Sequence, residues 1–193
     1  MKVIAINGSP RKNGNTATML QEILAGAAEK GAETRFIHLN DLNMKGCQGC
    51  LVCRENLGTC AYQDDFQDIL EEMKKADAIA LGTPIYAFNV TGQFKCLLDR
   101  CFCFTEADEE TGYRSVLPQG KKIALVTSQG NEDAEAYRNI IDYLQLLFSF
   151  LSSSSPQLIV QAGTEDKDSA RKDVSILNRA REIGGSFFPN EGM

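Results

Sequence analysis

An α/β protein, with a doubly wound five-stranded parallel sheet in a three-layer α/β/α sandwich, is what the sequence predicts. Three observations carry that expectation. Short β-rich runs alternate with longer helical patterns from one end of the chain to the other. Three of the short runs are almost continuously apolar, as central parallel strands buried on both faces should be. The 193 residues also suit one domain at ~100–200 residues per domain, so residues 1–193 are read as a single unit. Strands that alternate with helices imply right-handed crossovers, which restrict the topology.

The elements follow in order. The first strand is Lys2 to Ile6, and the helix after it, Thr16 to Lys30, places Met19, Leu20, Ile23, Leu24, Ala27 and Ala28 on one stripe ahead of Gly31. Glu33 to His38 is the second strand. Asp64 and Asp65 then open a helix, where carboxylates suit the positive dipole end, and Phe66, Ile69, Leu70 and Met73 form its stripe. Ala78 to Gly82 is the third strand, followed by the stripe Phe94, Leu97, Leu98, Cys101 and Phe102. Glu106, Asp108, Glu109 and Glu110 read as a solvated acidic loop. Lys122 to Thr127 is the fourth strand, and the helix carrying Ile140, Ile141, Leu144, Leu147 and Phe148 is unusually apolar from Leu146 to Leu151. Such a helix suits either complete burial or a subunit interface. Ser152 to Ser155 is a loop, Leu158 to Gln161 the fifth strand, and Asp168 to Ile183 a last helix with Val174, Leu177, Ala180 and Ile183 inward.

Composition narrows the function. Asp and Glu number 26 against 20 Lys and Arg, a net charge of −6, so a broad nucleic-acid surface is not expected. Apolar runs fall short of the ~18 residues of a membrane span, and the stretch from Met1 to Gly8 is too short for a signal peptide. A cytoplasmic protein without membrane association is expected. Seven cysteines, an odd number in a reducing compartment, point to metal or redox chemistry before crosslinks.

The first strand runs into Gly8-Ser9-Pro10-Arg11-Lys12-Asn13-Gly14-Asn15-Thr16, where a helix starts. Such a turn offers free backbone N–H groups at the positive end of a helix dipole, and so an anion site. Ser9, Thr16, Asn13 and Asn15 add neutral donors, and Arg11 or Lys12 adds charge. A P-loop would need a second Gly at Asn13 and a following Lys, and the dinucleotide pattern G-x-G-x-x-G is absent. A monophosphate, and hence a mononucleotide such as FMN, remains. The competing reading is a polar turn capped by Asn15 or Thr16. Ligands of open α/β sheets sit outside the carboxyl ends of the strands. There Thr83-Pro84-Ile85-Tyr86-Ala87-Phe88-Asn89 and Ser128-Gln129-Gly130-Asn131 would flank a flat ring.

These residues resemble a known family. Gly8-Ser9-Pro10-Arg11-Lys12-x-Gly14-Asn15-Thr16, Pro84-Ile85-Tyr86 and Gly92-Gln93-Phe94-Lys95-x-Leu97-Leu98-Asp99-Arg100 look like the NADPH-dependent FMN reductases of flavodoxin-like fold. The resemblance implies that Ser9, Arg11, Asn13, Asn15 and Thr16 hold the FMN phosphate. It implies that Pro84, Ile85, Tyr86, Phe88 and Asn89 line the ring, with Ser128 and Gly130 at its other edge. It also implies a homodimer or homotetramer whose subunits complete each other's sites.

Cys47, Cys50, Cys53 and Cys60 lie within one loop, residues 46–60. A zinc site separates its two ligand pairs further, whereas compact C-x₂-C-x₂-C runs are an iron–sulfur signature. Gly46, Gly49 and Gly58 would let the backbone wrap closely. The segment resembles the cysteine motif of the iron–sulfur flavoproteins, which implies a 4Fe-4S cluster; free thiols and zinc are the alternatives. Cys96, Cys101 and Cys103 read as buried, inert thiols.

The single histidine, His38, reads as structural. No catalytic acid or base stands out, and flavin chemistry needs none, since hydride passes directly between nicotinamide and flavin. The expectation is an FMN-dependent oxidoreductase passing electrons between FMN and a 4Fe-4S cluster, with NAD(P)H as a transient donor and a redox protein or small acceptor as partner. The alternatives are a cluster-free NAD(P)H-dependent FMN, quinone or nitro-compound reductase, and a redox-sensing flavoprotein without turnover.

Overall fold

Five parallel strands form the central sheet of the computed structural model, which describes residues 1–188; residues 189–193 of the expected unit 1–193 lie outside the described residues. In chain order the elements are β1 (Lys2–Asn7), α1 (Asn15–Glu29), β2 (Glu33–His38), α2 (Phe66–Lys75), β3 (Ala78–Pro84) and α3 (Gly92–Arg100). They continue as β4 (Thr105–Asp108), β5 (Gly112–Ser115), β6 (Lys122–Ser128), α4 (Arg138–Ser152), β7 (Gln157–Gln161), α5 (Ser169–Lys172) and α6 (Val174–Ser186). The sheet order is β2-β1-β3-β6-β7 with every pairing parallel. The chain winds one way from β1 to β2 and the other way from β3 onward. The carboxyl ends of β1 and β3 therefore mark the crevice where ligands of such sheets bind.

The two faces of the sheet differ in side-chain size, by the period-two alternation of strands. Ile4, Ile6, Ile79, Leu81, Ile123 and Leu125 face a core of large side chains that includes Phe66 of α2, Phe94 of α3 and Phe148 of α4. Val3, Ala5, Ala78, Ala80, Ala124 and Val126 face the other way, onto Met19, Leu20 and Ile23 of α1 and Ala180 and Ile183 of α6. On that small-residue side α1 and α6 pack backbone to backbone. A Cβ on Gly26 would stand 2.0 Å from the Arg181 carbonyl oxygen, and one on Gly184 would stand 1.9 Å from that of Ile23.

Four expectations need correction. The acidic segment at Glu106–Glu110 is a β-hairpin, β4 paired antiparallel with β5, and not an irregular loop. Cross-strand partners compensate its charges, as in the Arg114–Glu106 ion pair at 2.5 Å. The last helix is broken into α5 and α6, because the Asp173 carboxylate accepts from the Ile176 N–H at 3.1 Å and starts a new helix there. Complete burial of α4 does not hold: Ile141, Leu144, Phe148 and Leu151 face the core, but Leu146 is 73% exposed. Cys96 is half-buried, unlike the buried Cys101 and Cys103.

At the end of β2, His38 supports the turn that leaves β1. The Asn7 side-chain NH₂ donates to His38 Nδ1 at 2.9 Å, while Asn7 Oδ1 accepts from the Ser9 N–H at 3.1 Å. This arrangement requires a neutral imidazole with its proton on Nε2. Burial holds the His38 pKa below its usual value; Asp41 opposes that shift and Lys12 adds to it. The folded protein thus binds a proton on His38 less readily than the unfolded chain does. His38 should contribute its full stability above the unfolded value of 6.5 and lose it as the pH falls through the lower folded value. Unfolding free energies of the wild type and His38→Gln, measured by denaturant titration across that window, should converge as the pH drops. A constant difference would contradict the neutral tautomer. At the α1–α6 contact, Gly184→Ala should lower stability by about 2–3 kcal/mol, the upper range for overpacking. Gly185→Ala, whose Cβ would meet nothing closer than 4.0 Å, should be neutral or stabilising by up to ~1 kcal/mol. Equal denaturation midpoints for the two variants would disprove the close contact.

Candidate functional site

Helix α1 begins without a side-chain cap: Gly14 occupies the N-cap position and the first turn holds no acidic residue. Capping by Asn15 or Thr16 is thereby overturned. The first N–H groups of α1, which have no partner within the helix, instead border a cavity of about 220 Å³. Ser9, Arg11, Gly14, Asn15 and Thr16 line it from the loop after β1, Pro84, Ile85 and Tyr86 from the loop after β3, and Ser128 and Gly130 from the loop after β6. The Thr16 and Ser128 hydroxyls lie 2.9 Å apart and join two of these loops. Three segments distant in sequence meet here because β1, β3 and β6 are neighbours and end on one edge.

Some of the expected residues stand apart from this cavity. Asn13 is exposed and Phe88 is 78% exposed, and neither lines it; nor does Asn89. Two backbone bonds between Tyr86 and Asn89, 2.8 and 2.9 Å, close a tight turn with positive φ at Ala87 (46°) and Phe88 (63°). That turn carries Phe88 outward, edge-on to the Tyr137 ring at 6.0 Å. The Asn15 amide is engaged elsewhere: it donates to the Asp166 carbonyl at 2.7 Å and accepts from the Ala170 N–H at 2.9 Å, so it ties α5 to α1. Gln129, within the expected loop 128–131, also lines the cavity, and so do Thr164 and Glu165, which sequence reasoning missed. Gln129 Oε1 is buried without a partner there, and an orphaned acceptor suits a ligand bearing a donor. With uncapped helical amides, hydroxyls and Arg11 on one side and loops with an aromatic on the other, the residues fit a flat heterocycle carrying a phosphate.

The cysteine loop encloses a second cavity of about 230 Å³, lined by Cys47, Cys50, Cys53 and Cys60 together with Tyr62, Arg100, Phe102 and Cys103. Gly49 (φ 64°), Gly58 (φ 71°) and Leu51 (φ 60°) supply the left-handed turns that curl the backbone around it. All the cysteines are free thiols. The Gly49 N–H donates to Cys47 Sγ at 3.4 Å. Burial and the neighbouring cysteines push the Cys53 thiol up, against a backbone hydrogen bond that lowers it. Among the described residues no three Cys, His, Asp or Glu side chains converge as a single metal ion would require. Four cysteines lining one cavity, with the Gly49 N–H turned toward Cys47, are the residue types that could hold an iron–sulfur group.

Helix α3 is tied at one end to the loop after β1 and at the other to the cysteine cavity. Thr91 caps it, accepting from the Phe94 N–H at 3.3 Å while donating to the Gly8 carbonyl at 2.6 Å, at the start of the loop between β1 and α1. Arg100 ends it, falling three residues after the buried Leu97 and hence on the inner face. Its guanidinium donates to both Asp64 carboxylate oxygens at 2.6 and 2.7 Å and to the carbonyls of Lys45 (3.2 Å) and Tyr62 (3.0 Å). It also donates to Cys60 Sγ at 3.2 Å and stacks 4.1 Å from the Phe66 ring centroid. Asp64 therefore does more than cap α2, where it accepts from the Phe66 N–H at 3.1 Å. Burial works against the Asp64 carboxylate, yet the Arg100 hydrogen bonds and the Lys45 and Phe66 N–H groups hold it below the usual range. Cys103, at the back of the cavity, is pushed up to about 12 by burial and stays a neutral thiol. An arginine in an apolar stripe and a carboxylate two residues before a helix are ambiguous in sequence, so this pair was not legible there.

The geometry agrees with what comparison with known proteins finds. The family model for NADPH-dependent FMN reductase matches residues 1–164. An iron–sulfur flavoprotein of Methanocaldococcus jannaschii is 49% identical over 100 residues, covering 52% of this chain and 51% of that protein. The chain thus spans about half the length of the iron–sulfur flavoproteins it matches. A Bacillus subtilis protein named as an NAD(P)H-dependent FMN-containing oxidoreductase is 30% identical over 94% of this chain and 96% of its own length. Among solved structures, an NAD(P)H:quinone oxidoreductase from Methanothermobacter marburgensis superposes with a TM-score of 0.74 at 18% identity, over 97% of this chain and 99% of that one, and shares the fold. No helix among the described residues is long and apolar enough to cross a membrane. With its flavodoxin-like sheet order, its uncapped loop at the β1–β3 crevice and a match over most of its length, the chain belongs to the NADPH-dependent FMN reductase family.

Proposed function

We propose that this chain is an FMN-dependent oxidoreductase of the iron–sulfur flavoprotein kind, which relays electrons between FMN and a 4Fe-4S cluster. The observation that carries the reading is the pair of cavities at opposite ends of α3, one bordered by helical amides, the other by four free cysteines. FMN supplies the exchange of electron pairs for single electrons, and a cluster supplies one-electron steps. Around the first cavity, the amides of α1 with Ser9, Arg11 and Thr16 hold the phosphate. Pro84, Ile85, Tyr86, Ser128, Gln129 and Gly130 border the ring. Asn13, Phe88 and Asn89, outside the cavity walls, have at most a peripheral part. Around the second, Cys47, Cys50, Cys53 and Cys60 are the ligands, screened on the inner side by Phe102 and Cys103. At ~1.5 Å rise per residue, the nine residues of α3 run about 13 Å, with Thr91 bonded to Gly8 before one end and Arg100 bonded to Cys60 at the other.

NAD(P)H is the proposed transient donor, and a redox protein or small acceptor takes the electrons. The exposed Leu146 and Tyr143 on α4 suit a homo-oligomeric interface, and seven free thiols suit the cytoplasm. One observation favours a second reading, a cluster-free NAD(P)H-dependent reductase: the similarity to the Bacillus subtilis oxidoreductase runs over nearly the whole chain.

Protein purified without oxygen should show flavin absorbance over a broad shoulder, with about four irons and matching acid-labile sulfide per chain. Replacing the four loop cysteines by serine should remove the iron and leave FMN bound. Flavin without iron after anaerobic reconstitution would select the reductase reading, and failure to take up FMN would defeat both. At the anion loop, Arg11→Ala should weaken FMN binding by roughly 1 kcal/mol, about fivefold, below the 1.5–3 kcal/mol of a buried charged hydrogen bond because Arg11 is exposed. Riboflavin, which lacks the phosphate, should bind both proteins equally in fluorescence titrations. An equal loss for both ligands would place Arg11 away from the phosphate.

A further inference from the structure

Arg100 is 3% exposed, and its guanidinium is more heavily bonded than a helix end needs. Nη1 is taken up by both oxygens of Asp64 and by the Lys45 carbonyl, and Nη2 by the Tyr62 carbonyl. These bonds, with the Phe66 ring beneath, already fix the group in place and join the cysteine loop to α3. Nη2 nevertheless makes one more contact, to Cys60 Sγ at 3.2 Å, and Nε is buried without any partner. The carboxylate that balances the charge lies on the Nη1 side, while Nη2 meets the sulfur. A fixed positive group thus faces one of the four cysteines with its counter-charge turned away.

Resting on the cluster reading above, we propose that Arg100 is a positioning residue that sets the reduction potential of the cluster through Cys60. Reduction adds one negative charge to a cluster, and part of it resides on the ligand sulfurs. An N–H···S hydrogen bond from a cation stabilises that more negative state and makes the cluster easier to reduce. Asp64 acts on the same field through its charge. It accepts only from Nη1, while the Lys45 and Tyr62 carbonyls and the Phe66 ring also hold the guanidinium. Its negative charge therefore tempers the field at the cluster, and Asp64→Asn keeps an oxygen for Nη1 while removing that charge. Arg100 and Asp64 therefore act on the potential in opposite directions, an outcome that packing alone does not produce.

The test is a dye-mediated redox titration of the full chain, reconstituted anaerobically with iron and sulfide, following cluster and flavin at their own absorbance bands. In Arg100→Gln the reduced-to-oxidised ratio of the cluster at a given applied potential should fall about tenfold, a midpoint about 59 mV more negative for a one-electron couple. The flavin midpoint should not move. Arg100→Lys, which keeps the charge and loses the planar fork, should recover part of the shift. Asp64→Asn should move the cluster the other way, toward easier reduction. The proposal is overturned if cluster-bearing Arg100→Gln stays within twofold of the wild type, or if flavin and cluster shift together as a loosened fold would make them. Should Arg100→Gln fail to retain iron, the other two variants decide, and an unshifted or more negative midpoint in Asp64→Asn overturns the proposal. A wild-type protein that takes up no iron defeats the cluster reading itself. A wild-type cluster with unmoved variants defeats only the role of Arg100.

Discussion

Both candidate sites depend on helix α3 being held by buried polar bonds at its two ends. At the start, the Thr91 hydroxyl caps the helix and at the same time donates to Gly8, so the β1–α1 loop and the helix share one anchor. At the end, Arg100 reaches into the segment between β2 and α2 and takes up Asp64, Lys45, Tyr62 and Cys60. That segment contains one short 3₁₀ turn near the cysteines, Val52–Arg54, and has little secondary structure of its own to fix it. A buried ion pair is weak evidence for stability, since desolvation offsets much of the attraction. Its role here is specificity of shape: with the Arg100 and Asp64 side chains only 1% and 6% exposed, removing either partner would leave an unpaired charge inside the protein.

The asymmetry of the sheet explains why this arrangement lies where it does. Large side chains on one face leave room for α2, α3 and α4 to pack at ordinary distance, with Phe66, Phe94 and Phe148 between them. Small ones on the other face let α1 and α6 approach until only glycine fits between their backbones. The same closeness holds at Gly82, where a Cβ would come within 2.6 Å of Thr16. The amino end of α1 is thus pressed against the carboxyl end of β3, which brings the loop between β1 and α1 to the crevice. Packing against the sheet, which does not itself touch a ligand, decides where the helix dipole points.

Much of this was legible in the residues. Apolar runs identified β1, β3 and β6 at the middle of the sheet, β-rich runs identified the edge strands β2 and β7, and helical stripes identified the helices, because burial on two faces and on one stripe leave different periods. The turn between β1 and α1 showed itself by composition, and the cysteine loop by spacing. Where the reading failed, a local preference met a competing partner. The acidic Glu106–Glu110 segment looks solvated until Arg114 is placed across from Glu106. The last helix looks continuous until the Asp173 side chain is seen bonded to Ile176. Asn15 looks like a ligand donor until its amide is found occupied by Asp166 and Ala170, more than 150 residues away in sequence.

By itself, then, the sequence determined the alternation of elements, the glycine-rich polar turn at residues 8–16 and the concentration of thiols at 47–60, since each is written in neighbouring residues. Only the tertiary structure decided which side chains share a cavity. It set Phe88 on an outward turn and left Asn13 at the surface. It brought Thr164 and Glu165 to the cavity beside the β1–α1 loop, and it placed Arg100 against Cys60, 40 residues apart. Such meetings follow from strand order and from how closely each helix can approach the sheet. Both are settled by packing among many residues at once, and no local pattern encodes them.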